Sequence, residues 1–285
     1  MAPPTPPQFH ILGPETPRYP VILSVPHAGR DYPDALIAAS RLPRDRLELL
    51  EDRHADALIG HAVDHGFTAI VARRARAWID LNRHEREIDP DMIEPAIRRE
   101  ALIRSAKVAG GLGLLPRRLR DGGEIWNGRV ARDDLERRIN EDHRPYHARL
   151  SELLAHARVR FGVAILLDVH SMPPLGQGAA QIVLGDRFGQ SAAGRYAALV
   201  GAMALDAGYR IANNVPYAGG HVLATHARPR RNIHALQLEI DRSLYLEDDL
   251  RTPRVALGNI DSLVAAMARV LSDEALGGAH AIAAE

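Results

Sequence analysis

The sequence predicts an α/β protein with a mixed, mostly parallel sheet sandwiched by helices, and three observations predict it. Short apolar runs of strand length alternate along the chain with longer segments of helical periodicity. Turn formers or polar groups close the apolar runs, as at Pro26-His27-Ala28-Gly29. The composition is that of a globular protein, with 46% hydrophobic and 25% charged residues among 285, enough to bury a sizeable core. That length admits one or two domains, and we read one domain over residues 1–285.

The elements follow in order. Val21 to Val25 is a short buried strand, so His27 falls just past a strand end. From Pro43 to His65, apolar residues recur at helical spacing through Leu47, Leu50, Leu58 and Ala62, with acids near the front, which predicts one helix stopped by Gly66. Phe67 to Ala72 and Ala77 to Leu81 read as strands, the second leading into Asn82-Arg83. Residues 84–132 are rich in Arg and Gly without a sustained period and read as an excursion or lid. Asp133 to Arg160 reads as a helix capped by Asp133 and Asp134, which Pro145 should kink or split. Val163 to Val169 is the strongest strand. A strand at Gln181 to Leu184, a helix at Ser191 to Ala207, a strand at Ala235 to Ile240 and a helix at Gly258 to Leu271 complete the alternation.

Composition excludes several functions. No cysteine is present, so disulfides, thiolate metal sites and cysteine nucleophiles are ruled out, and any metal must be held by His, Asp or Glu. Thirty-six basic and thirty-six acidic residues give a formal net charge of zero, which argues against a dedicated nucleic-acid binder. The proline-rich lead from Met1 to Pro20 has no long apolar run, so neither a signal peptide nor a membrane anchor is expected, and a cytoplasmic address follows. Lys107 is the lone lysine, which makes a catalytic lysine an unattractive choice.

In open α/β sheets, ligands bind beyond the carboxyl ends of the strands. The polar groups there are His27, Asn82-Arg83 and Asp168-Val169-His170-Ser171, with Glu239 inside a strand of its own. Two imidazoles and a carboxylate with a fourth position open form a catalytic zinc shell. Asp52 is the favoured carboxylate, with Glu51 and Asp56 as alternatives on the same predicted helix. Asp168, two residues before His170, shares its strand face and either orients a ligand or caps the strand end. Glu239 sits in Leu236-Gln237-Leu238-Glu239-Ile240, where a buried charge is costly unless it has a partner, so it is either a base beside a metal or part of a half-exposed edge strand. His143 and His147, four apart on a helix, have a spacing that can bind zinc, although an ordinary amphipathic helix explains them as well. Gly110-Gly111-Leu112-Gly113 matches no phosphate-loop pattern. The arginines from Arg73 to Arg86 are interleaved with acids and read as ion pairs.

The ordered set Ser24-Val25-Pro26-His27-Ala28-Gly29, Glu51-Asp52-Arg53-His54, Ile79-Asp80-Leu81-Asn82-Arg83, Pro145-Tyr146-His147, Asp168-Val169-His170-Ser171 and His234-Ala235-Leu236-Gln237-Leu238-Glu239 resembles the N-formylglutamate amidohydrolase family. More distantly it is similar to aspartoacylase, succinylglutamate desuccinylase and the zinc carboxypeptidases. The resemblance implies a phosphorylase/hydrolase-like α/β fold, one zinc per chain, and cleavage of N-formyl-L-glutamate to formate and L-glutamate, a late step of histidine breakdown. It implies that His27, Asp52 and His170 hold the zinc and that Glu239 takes a proton from the attacking water. It further implies that Arg76 stabilises the oxyanion, that Arg83 with Asn82 grips a substrate carboxylate, and that His221, in a Gly-Gly loop, bounds the pocket. The alternatives are an amidohydrolase for another N-acyl amino acid and a non-catalytic ligand-binding module on the same fold. A small N-acyl amino acid is the expected partner, with no nucleic acid or membrane, and the sequence leaves the oligomeric state open.

Overall fold

A computed structural model describes residues 8–255 and 257–282. The proline-rich lead through residue 7 lies outside the described residues. Two compact units divide the chain: the first takes the chain to His10, Pro26–Glu51 and Ala72–Arg149, and the second takes Ile11–Val25, Asp52–Val71 and the chain from Leu150 onward.

A seven-stranded sheet organises the second unit. Its strands are β1 (Phe9–Leu12), β2 (Val21–Val25), β3 (Thr68–Ala72), β6 (Ala164–Met172), β7 (Ile182–Gly185), β8 (Ile211–Asn213) and β9 (Ile233–Asp241). A separate two-stranded ladder joins β4 (Ile93–Glu94) to β5 (Val130–Ala131) in the first unit. The order in the large sheet is β1-β3-β2-β6-β9-β7-β8. β3, β2, β6 and β9 run parallel, β7 is antiparallel to β9, and β8 is parallel to β7. The sheet is mixed and mostly parallel, as expected, and helices flank it. Every residue of β2, β3, β6 and β7 is buried, which is why these strands read as continuous apolar runs rather than alternating ones. Helices Gly194–Asp206 and Gly258–Ile282 pack on each other and on the sheet. No helix among the described residues is long and apolar enough to cross a membrane.

Several sequence expectations are corrected. The helix expected from Pro43 to His65 is broken into Arg44–Leu47, the 3-10 turns Glu48–Leu50 and Ala55–Ile59, and Gly60–Asp64. Glu51 is extended and His54 is left-handed at φ 57°, so the chain turns between the two halves. The helical period survives because both halves bury their apolar residues. The strand expected from Ala77 to Leu81 is instead a run of turns, with Trp78 N–H donating to Ala75 O and Arg83 N–H to Asp80 O. Its apolarity comes from burial in the first unit, where the Arg138 guanidinium lies 3.4 Å from the centre of the Trp78 ring. The helix expected from Asp133 to Arg160 runs as Arg132–Arg138, a π turn Ile139–His143, and Arg144–Phe161. Pro145 has no N–H to give, and the wider turn just before it absorbs the misfit instead of splitting the helix. Ala131, not an acid, occupies the N-cap, with Asp133 and Asp134 in the first turn. β6 runs three residues beyond Val169, which places His170 inside the strand rather than after it.

Candidate functional site

In the second unit, side-chain alternation builds a polar face on the sheet. Residues two apart on a strand share a face, and directly paired residues on parallel neighbours face the same way. Ser24 pairs with Asp168, Asp168 with Gln237, and His170 with Glu239, so these five side chains line one face across β2, β6 and β9. All are buried. Ser24 Oγ donates to Asp168 Oδ1 at 2.7 Å, and His170 Nε2 donates to Asp168 Oδ2 at 2.9 Å. His170 Nδ1 meets Asp52 Oδ2 at 2.8 Å. Burial disfavours charge on His170, but the Asp168 and Asp52 carboxylates outweigh it and hold the imidazole well above its ordinary pKa.

Asp52 reaches His170 because the helix is interrupted there. Tyr245 Oη donates to Arg53 O at 2.8 Å and pins the turn, while Arg242 Nη2 lies 3.4 Å from Asp52 Oδ1 and its Nε 3.1 Å from Ser171 Oγ. Of the three candidate acids, Asp52 is the one placed on His170. Glu51 instead accepts from Tyr32 Oη in the first unit, and Asp56 is half-buried. Glu239 Oε1 accepts from Gln237 Nε2 at 3.0 Å, and Gln237 Oε1 accepts from Gly220 N–H at 3.2 Å. The Gly219-Gly220 loop is thereby tied to the strand that carries Glu239. His221 opens the helix His221–His226, half-buried beside Thr225 Oγ1.

In the first unit, the turn after β2 carries His27. Its passage is tight: a Cβ at Gly29 would lie 2.0 Å from Arg74 O, so only glycine fits. His27 Nε2 donates to Asp80 Oδ1 at 2.7 Å. Asp80 also accepts from Asn82 N–H at 2.9 Å and from Arg76 Nε at 2.8 Å. Asp80 is fully buried, which alone would raise its pKa, but Arg76, His27 and Arg83 hold it well below the usual carboxylate range. Arg83 is buried too, with Nε donating to Leu112 O at 2.8 Å and Nη1 to Asn82 O at 2.6 Å. His143 and His147 each direct Nε2 at a backbone carbonyl, of Arg83 at 2.8 Å and of Leu81 at 2.9 Å.

Sequence reasoning left three of these residues without a role. Asp80 and Gln237 stood inside quoted motifs, and Arg242 was passed over. The available signals were a lone acid inside the apolar run Trp78-Ile79-Asp80-Leu81 and a charge directly after β9.

The described residues include buried imidazole and carboxylate groups able to hold a divalent cation, His27 in one unit and Asp52 and His170 in the other. The donor chemistry fits such an ion. In both imidazoles, Nε2–H is directed to a buried aspartate, the arrangement that leaves Nδ1 as the ligating nitrogen. His170 Nδ1 and Asp52 Oδ2 already converge, so a cation bound there would take the place of the proton between them.

Comparison with known proteins places the chain in a family. Residues 19–246 match the family model described as N-formylglutamate amidohydrolase. The chain is 32% identical over 243 residues to N-formylglutamate deformylase of Pseudomonas putida, covering 81% of this chain and 83% of that one. It is 30% identical over 239 residues to the enzyme of that name from Pseudomonas aeruginosa, covering 81% and 84%. The crystal structure of N-formylglutamate amidohydrolase from Ralstonia eutropha JMP134 superposes with a TM-score of 0.87 at 30% identity, over 95% of this chain and 99% of that one. A gene product of Agrobacterium tumefaciens, at 19% identity and a TM-score of 0.68, shares the fold. This chain therefore belongs to the N-formylglutamate amidohydrolase family.

Proposed function

We propose that this chain hydrolyses N-formyl-L-glutamate to formate and L-glutamate, with one zinc held by His27, Asp52 and His170. The observation that carries the reading is the shared construction of the two imidazoles, each giving Nε2–H to a buried aspartate, with Glu239 paired in register to His170. Zinc bound there would lower the pKa of water toward ~7 and polarise the formyl carbonyl.

The chain's own residues do the rest. Glu239 accepts a proton from the attacking water and returns it to the departing amine, and Gln237 holds one of its oxygens so that the other is presented. Arg76 favours the charge developing on the carbonyl oxygen, with its Nε fixed on Asp80. Arg83 takes a substrate carboxylate through the guanidinium hydrogens outside its two carbonyl bonds, and Asn82 and His221 bound the pocket. The same reading places the enzyme in the cytoplasm, at a late step of histidine breakdown.

The test is amine release from N-formylglutamate, N-formylmethionine and N-acetylglutamate, with and without a chelator. N-formylglutamate turned over fastest, with the activity abolished by chelation, supports the reading. Preference for N-acetylglutamate would reassign the acyl group, and no release from any of the three by zinc-loaded protein would leave a ligand-binding module.

A further inference from the structure

We propose that the glycine-rich segment of the excursion, Gly110–Gly113, is a strap that positions Arg83, and that Gly113 is the residue that lets it close. This rests on the reading of Arg83 as the carboxylate anchor, and every group involved lies in the first unit.

The strap and Leu114, the residue after it, grip the Asp80–Arg83 turn at two places. Leu112 O accepts from Arg83 Nε at 2.8 Å, and Leu114 O accepts from Asp80 N–H at 2.8 Å. Its own course is fixed by Leu112 N–H on Lys107 O at 2.8 Å and Leu114 N–H on Glu87 O at 2.6 Å. Gly113, between these anchors, passes so close to Glu87 that a Cβ there would lie 2.6 Å from Glu87 O. That oxygen is also the acceptor for Leu114 N–H, so an alanine must push the strap away from the carbonyl that holds it. His143 and His147 fix Arg83 O and Leu81 O and so hold the backbone of the turn, while Leu112 O and Asn82 O direct the Arg83 side chain.

A guanidinium carries five N–H donors in a rigid fork. With Nε on Leu112 O and one Nη1 hydrogen on Asn82 O, the fork's orientation is set before substrate arrives, and the Nη1–Nη2 edge is the one presented to a carboxylate. Losing the Leu112 bond frees the fork to rotate. The excursion thereby becomes a specificity element, although none of its side chains need touch the substrate.

The experiment compares N-formylglutamate and N-formylmethionine kinetics in wild type, Gly113→Ala, Arg83→Ala and the double variant. Gly113→Ala should raise KM for N-formylglutamate by about tenfold, the scale of one hydrogen bond to a charged group, and change kcat by less than about twofold. It should leave N-formylmethionine kinetics nearly unchanged and have no further effect once Arg83 is Ala. A wild-type ratio of kcat/KM between the two substrates in Gly113→Ala, or an equal loss on both that persists beside Arg83→Ala, overturns the proposal.

If Gly113→Ala does not fold, Arg118→Ala loosens the same strap from its exposed side, where Arg118 Nε donates to Gly110 O at 3.1 Å. It should shift the ratio in the same direction, and an unchanged ratio counts against the strap. Amide exchange separates the two readings. Arg83→Ala should speed exchange at Asp80 and Leu114 by about tenfold even if Arg83 proves not to read the carboxylate. Unchanged exchange overturns the strap, and an unchanged substrate ratio in Arg83→Ala overturns the anchor.

Discussion

Asp168 accepts a hydrogen bond from His170 Nε2 at 2.9 Å and thereby decides which nitrogen of that ring faces Asp52. The carboxylate is itself held by Ser24 Oγ at 2.7 Å, so its own direction is fixed by the neighbouring strand. Replacing Asp168 with Asn weakens control of the ring's tautomer and removes charge behind the proposed ligand. Zinc affinity should fall by about 10- to 100-fold. A competition titration against a chromophoric chelator measures it, and wild-type affinity in the variant would show that His170 does not ligate through this arrangement.

Glu239 is a buried carboxylate on β9, bonded to Gln237 and set beside His170 by the register of β6 and β9. Glu239→Gln should keep the fold and the metal and lower turnover by roughly 10²-fold or more, the scale of losing a general base. Near-normal turnover would move the base elsewhere, with Asp168 and His221 next to test.

The two arginines should separate kinetically. Arg83→Ala should act mainly on KM and erase the preference for acidic over neutral N-formyl amino acids, and Arg83→Lys should rescue poorly because an ammonium lacks the planar fork. Arg76→Ala should act mainly on kcat. Steady-state kinetics of the three variants decide it, and the same KM-to-kcat pattern in Arg76→Ala and Arg83→Ala would refute the division of roles.

His234 contributes to acid sensitivity. Burial and then the nearby Arg195 depress its pKa from 6.5 to about 4. The unfolded chain therefore binds more protons between those values, so the stabilising effect is complete above about pH 6.5 and is lost as pH falls toward 4. Its ring packs at 4.9 Å from that of Tyr196, and its Nδ1 faces Ala193 N–H. Denaturant unfolding of His234→Gln at pH 7 and pH 4.5 should show a smaller acid-induced loss than wild type. An equal or larger loss in the variant would contradict the assignment.

The sheet and its polar face were legible in the sequence because buried strands announce themselves as apolar runs and a charge inside one is conspicuous. Glu239 stood out for that reason, and His27 and His170 because they follow such runs at the expected strand ends. The break at Glu51–His54 was not legible: Leu47, Leu50, Leu58 and Ala62 keep the helical period across it, and what turns the chain is contact with Tyr245 and Arg242 from nearly 200 positions away. Asp80 was hidden by the opposite error. Its apolar neighbours read as a strand, yet they are turns made apolar by burial, and the acid at their centre is fixed by Arg76 and His27 rather than by any local pattern. Leu112 and Leu114 act through backbone carbonyls, which side-chain identity does not report.

The most direct measurement is zinc content together with formate release, for wild type and for the His27→Ala, His170→Ala double variant. About one zinc per chain and formate equimolar with glutamate are expected from the wild type, with both lost in a double variant that remains folded. Stoichiometric zinc retained by the double variant at neutral pH, or full formate release by metal-free wild type, would contradict this expectation.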